Sequence, residues 1–155
     1  RSGETMTLAL ADNVTLTEVL PVDPATIQSG VFVGTAALPG ADGALSALEV
    51  LVFPEAMRGT GEGHSQWDLQ PGSTMTNATV TALVPGAKGR TMTLRYKDGE
   101  KTIVVPEGIP VVTLKPGDRT LLVPGAKVLV TAQVRDGQPT ALRVTAGRNG
   151  FAPPM

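Results

Sequence analysis

The chain has 155 residues, of which 41% are hydrophobic and 17% charged. Those are the proportions of a folded protein rather than a disordered one, with room for one ordinary domain or two small ones. A formal net charge of -1 and only 3% aromatic residues provide neither the electrostatic footprint nor the stacking platforms that nucleic acid requires, which excludes it as an expected partner. No cysteine is present, which removes disulfides, thiolate metal sites and thiol nucleophiles together. No run approaches the roughly 20 consecutive apolar residues of a membrane helix, so no membrane span is expected.

The first predicted element is a half-buried strand in Thr5, Met6, Thr7, Leu8, Ala9 and Leu10, where apolar and polar residues alternate. Asp23-Pro24-Ala25-Thr26-Ile27-Gln28 follows as a short helical turn. It places an N-cap aspartate before proline at the first helical position, with Gly30 where a left-handed residue would end it. Residues 31–36 alternate again, and residues 45–53 form a β-rich run. Residues 54–73 are a different kind of text, rich in glycine, without strand periodicity, and holding the only His and the only Trp. Alternation returns at residues 79–84 and 91–96, and shorter β-rich runs occupy 102–105, 111–114, 127–134 and 140–145. Pro-Gly, Asp-Gly and Lys-Gly pairs punctuate them. A second helical turn is predicted over residues 116–122.

Part of this order occurs twice. Residues 1–50 run parallel to residues 97–144, about 95 positions later. Arg1-Ser2-Gly3-Glu4 lies over Lys97-Asp98-Gly99-Glu100, and Ala47-Leu48-Glu49-Val50 lies over Ala141-Leu142-Arg143-Val144. The expected fold is therefore all-β, a tandem repeat of small OB-like Greek-key barrels. It is divided into a first repeat (residues 1–53), a Gly-rich linker (54–73), a second repeat (74–148) and a tail (149–155). The second copy has a leading segment, residues 76–96, that finds no counterpart ahead of the first. The first copy thus reads as lacking its leading hairpin. Its strand at residues 5–10 is then expected to present an unpaired apolar edge, a template for another chain. Strand donation across such an edge leads to a homo-oligomer, or to a filament if the contact does not close.

The linker holds the candidate ligand residues. His64, with Glu62, Asp68 and Met57 as helpers, combines imidazole, carboxylate and thioether donors suited to copper or zinc. A single histidine makes a thin shell, and an imidazole that caps backbone groups in a Gly-rich loop is the competing reading. Trp67 reads either as a plug over apolar surface or as a lid that stacks on a ligand. Ser65 beside His64 lacks the strand-turn-helix elbow of a nucleophile. Gly59-Thr60-Gly61-Glu62-Gly63 lacks the Lys-Ser/Thr ending of a phosphate loop. No convergent acid, base and nucleophile is legible, so no catalytic residue is assigned and no enzymatic activity is expected.

The run Phe53-Pro54-Glu55-Ala56-Met57-Arg58-Gly59-Thr60-Gly61-Glu62-Gly63-His64, followed by Trp67-Asp68-Leu69 and Pro71-Gly72-Ser73-Thr74-Met75-Thr76-Asn77-Ala78, resembles a bacterial exported family, the domain of unknown function 5666 family. The resemblance covers nearly the whole chain, including the ending Ala152-Pro153-Pro154-Met155. It implies a signal peptide and a leading hairpin upstream of Arg1, and hence a periplasmic or extracellular location. The expected function is that of a non-enzymatic extracytoplasmic binding or structural module that partners itself or another exported protein. The alternative is a metal-handling or small-ligand module centred on His64 and Trp67.

Overall fold

Alternating β-branched and hydroxyl side chains, interrupted by Gly and Asp turns, lead to a structure built of strands. The computed structural model describes residues 3–154. Expectations that touch Arg1, Ser2 and Met155 lie outside the described residues. The strands in chain order are β1 (Ala9–Pro21), β2 (Phe32–Pro39), β3 (Leu45–Ala47), β4 (Val50–Val52), β5 (Gly63–Gln66), β6 (Thr74–Gly86), β7 (Gly89–Tyr96), β8 (Gly99–Val105), β9 (Val111–Pro116), β10 (Val128–Arg135) and β11 (Gln138–Ala146). The all-β class is as expected.

The two predicted helical segments are single 3-10 turns, Pro24–Thr26 and Arg119–Leu121. Asp23 accepts from the Ala25 amide at 2.8 Å, and Asp118 from the Thr120 amide at 2.8 Å. Segments this short, held between extended backbone, cannot repay α-helix nucleation. A third such turn, Glu55–Met57, was not foreseen.

Three strand expectations are corrected. The strand expected at residues 5–10 begins only at Ala9, where pairing with Thr140 starts, and Thr5, Met6, Thr7 and Leu8 belong to no strand. It then runs on to Pro21, because a register shift between Leu10 and Thr15 sets residues 11–14 against Leu142 alone and lets pairing resume with Arg143. The run 45–53 is broken at Leu48-Glu49 into β3 and β4. Within the supposed linker, residues 63–66 form β5, which pairs antiparallel with β6.

The described residues fall into two compact units, one of residues up to 20 with 115–153, the other essentially residues 21–114. This division cuts across the sequence blocks 1–53 and 74–148. The reason is parallel pairing between strands far apart in the chain, β1 with β11 in the first unit, and β3 with β8 and β4 with β9 in the second.

The second unit contains a closed β-barrel. β6 pairs with β7, β7 with β8, β8 with β3, β3 with β2, and β2 returns to β6 to close the ring. Closure leaves no free edge around the ring. Within the ring β6 serves two partners along its length, β2 through Thr74 to Thr79 and β7 through Thr79 to Gly86, while β5 lies against its first residues from outside the ring. At the start of β7, Gly89 has φ 117, and a Cβ there would lie 2.2 Å from the Val105 carbonyl oxygen, so only glycine lets β7 leave its turn this close to β8. Val33, Ala37, Val80, Met92, Leu94 and Ile103 fill the interior. β4, β5 and β9 are additional to the ring.

In the first unit β1 runs parallel to β11, and β11 antiparallel to β10. The β10–β11 turn uses Asp136 and Gly137 at φ 50 and 77, the twin positive values of a tight hairpin. Val19, Leu121, Val144 and Ala146 are buried here. Among them sits Glu18, 6% exposed, which takes Arg148 Nε at 3.1 Å and Lys115 Nζ at 3.3 Å. A carboxylate this deep is tolerated because two cations neutralise it. Glu18→Ala is expected to destabilise this unit by about 1–3 kcal/mol in chemical denaturation, through lost charged hydrogen bonds and lost packing. No change in the denaturation midpoint would show that the triad contributes nothing net.

Candidate functional site

β5 places His64 opposite Thr76 of β6. The imidazole Nδ1 shares a hydrogen bond with the buried Thr76 hydroxyl at 2.8 Å, and the ring stacks on Tyr96 with centroids 6.5 Å apart and an 18° tilt. Partial burial, with Lys101 nearby, holds the His64 pKa below its ordinary value. The ring is therefore mainly neutral at pH 7, the form a metal would need.

The other linker candidates point to separate tasks. Glu62 Oε1 accepts from the Lys97 amide at 3.0 Å and so caps the β7–β8 turn. Asp68 is exposed, and Met57 is half-buried on its 3-10 turn. Trp67 is 37% exposed, and its amide donates to the Ser73 carbonyl at 2.9 Å. The buried Ser73 hydroxyl shares its one proton between the Gln70 carbonyl at 2.7 Å and the Trp67 carbonyl at 2.9 Å and accepts from the Gln70 amide, closing residues 67–73 into a small loop. Among the described residues no group of three or more His, Cys, Asp or Glu is placed to hold a metal ion. His64, Glu62 and Asp68 are thus not brought into one shell.

Sequence reasoning passed over Glu49. Its side chain is 1% exposed at the break between β3 and β4. Oε1 accepts from the Ala36 amide at 2.9 Å, Oε2 has no partner, and the Thr35 hydroxyl donates to the Glu49 carbonyl at 2.6 Å. Burial raises its pKa to about 7, against the opposing pull of the Ala36 amide. The carboxyl is a strut between β2 and the β3–β4 break. A lone acid inside Ala47-Leu48-Glu49-Val50-Leu51-Val52 was the available signal.

The expected assembly edge divides. Ala9 and Leu10 are paired to β11, whereas Thr5, Met6 and Thr7 are exposed outside any strand. The longer open edge lies elsewhere. β10 pairs with β11 on one side, and its other side meets no strand among the described residues. It carries Val128 (47% exposed), Leu129 (39%) and Val134 (70%). Sequence reasoning missed it by placing residues 127–134 inside a closed second barrel. No family model, no curated protein and no solved structure matches this chain.

Proposed function

We propose that this protein is a non-enzymatic, exported β-domain protein that works as a binding or structural module by strand addition at the open edge of its first unit, other copies of itself included among its partners. The observation that carries this reading is β10, a strand of eight residues with an unpaired side and three exposed large apolar residues. Unpaired amides and carbonyls beside apolar side chains are what main-chain augmentation requires, and proteins without such a use blunt these edges with charge or proline. β10 itself has one charge, Arg135 at its end. The ring order of the closed barrel, β6-β7-β8-β3-β2, corresponds to the strand order of an OB-type Greek key. On this basis the first unit is read as the partial counterpart of the same architecture. A periplasmic or extracellular location rests on the resemblance of residues 53–78.

Amide hydrogen exchange together with sedimentation velocity tests the reading. In dilute protein the outward amides of β10 are expected to exchange freely. In concentrated protein they become protected as the mass rises, and Val128→Lys with Val134→Lys abolishes both changes. Protection already present in the monomer, or free exchange with constant mass at every concentration, would remove the proposal.

A further inference from the structure

We propose that the second unit carries a small-ligand site at one end of its barrel, anchored by Arg90, which takes apolar carboxylic acids of about ten non-hydrogen atoms. The site does not involve β10 and is independent of the strand-addition reading above.

The chain builds this site out of turns. Pro85 and Gly86 end β6, Gly89 and Arg90 begin β7, residues 106–110 join β8 to β9, and Pro24 opens the first 3-10 turn. Together they surround a cavity of about 330 Å³, within the range of ligand clefts. Val105 and Val111, 4% and 5% exposed, make its deepest part, and Ile109 is half-buried beside them. Pro24, Pro85 and Pro106 complete the wall. Proline fixes φ and has no amide hydrogen, so this wall is stiff and offers no main-chain donor at those positions. A stiff, apolar cleft has little conformational freedom to lose when it is filled.

Two charged residues line the cavity, Arg90 and Glu107. They do not pair with each other, and among the described residues no carboxylate lies within ion-pair distance of Arg90. Arg90 is half-buried, and its Nη2 donates to the Pro24 carbonyl at 2.9 Å. That bond holds the guanidinium at the cavity wall and leaves its other N–H donors without a protein acceptor among the described residues. A planar fork of N–H donors matches the two oxygens of a carboxylate. Glu107 is exposed on the β8–β9 connection, where water solvates it. The half-buried cation rather than the exposed anion therefore sets the charge of the ligand. The volume sets its size: at roughly 30 Å³ for each water-sized group, the cavity accommodates about ten. A phenyl ring joined to a carboxylate by one carbon meets both conditions. A tether between β7 and the 3-10 turn would need only the bond to Pro24, and that role is indifferent to ligand charge.

The probe is phenylacetate, titrated into the full chain and followed by the amide signals of its NMR spectrum, with 2-phenylethanol and 2-phenylethylamine for comparison. Phenylacetate is expected to bind saturably with a Kd of about 1 mM or tighter and to shift the amides of Gly86, Gly89, Gly108 and Ile109 together. The alcohol, which has the same ring and no charge, is expected to bind about tenfold or more weakly. Arg90→Gln is expected to bring phenylacetate down to the affinity of the alcohol, and Arg90→Lys, which keeps the charge without the fork, to fall between. Should Arg90→Gln fail to fold, the comparison of acid with alcohol on the unaltered protein decides the matter. Equal affinity of acid and alcohol would overturn the proposal, leaving Arg90 a tether only. Tighter binding of the amine would overturn it in favour of Glu107. Shifts confined to other residues, or no saturation by about 20 mM phenylacetate, would remove the site altogether.

Discussion

Ile103→Ala is expected to lower the unfolding free energy of the barrel by about 2–5 kcal/mol, in the upper part of that range. The side chain is fully buried in β8, beside Leu45 of the parallel neighbour β3 and Met92 of the antiparallel neighbour β7. Substitution removes the transfer free energy of the lost methyl and methylene groups and leaves a void. Elsewhere neighbours would move in. Here the walls are strands tied into a continuous hydrogen-bonded ring through β2 and β6, so collapse of the void would stretch ladders on both sides. A loss of this size is a large part of the 5–15 kcal/mol typical of a domain. Urea titration would show it as a lower midpoint at unchanged slope. Ile103→Val, with one methyl group fewer, is expected to cost about 1 kcal/mol. A loss below about 1 kcal/mol for the alanine variant would mean that the ring is open enough to relax.

The second large effect is a pH dependence centred on Glu49. Its carboxyl has a folded pKa of about 7 against an ordinary 4.5, chiefly because burial penalises the charged form. The neutral acid is therefore the form that the folded state favours. Its contribution is fully present below pH 4.5 and is lost progressively as pH rises to about 7, above which the loss is complete. A difference of this size corresponds to roughly 3 kcal/mol between the two ends of the window. Stability measured by urea titration from pH 4.5 to 8 is expected to fall through that interval. Glu49→Gln is expected to flatten the slope, because the amide oxygen still accepts from Ala36 and the group no longer ionises. The variant gains most above pH 7. If both proteins show the same slope, Glu49 is ionised or solvated in the folded state and the strut does not exist as described.

Most of the class of this fold was legible beforehand. Period-two alternation marked most of β2 and β7 and the middle of β6, the Asp-Pro signal marked the 3-10 turn that Asp23 caps, and the run 116–122 contained the turn that Asp118 caps. Less was legible of the candidate site. His64 and Glu62 were singled out as ligands, but the structure spends them on Thr76 and on the Lys97 amide. Those partners are 12 and 35 positions away in sequence and come close only through sheet pairing. Glu49 reads as one polar residue in an apolar run, and nothing local says that both of its oxygens will be shut from water. β5 escaped notice because Gly63, His64, Ser65 and Gln66 have little strand propensity. They are held extended by the ladder that β6 offers them.

By itself the sequence determined most of the extended segments, which face of them is apolar and most of the places where the chain turns. These properties depend on neighbours within a few residues, through backbone sterics and a period of two. Which strand lies beside which was decided only by the tertiary structure. Many β-rich runs of this chain are chemically interchangeable as ladder partners, since main-chain hydrogen bonds carry no residue identity. The choice falls to the arrangement that closes a ring over Val33, Met92, Leu94 and Ile103 in one unit and leaves Val128, Leu129 and Val134 open in the other.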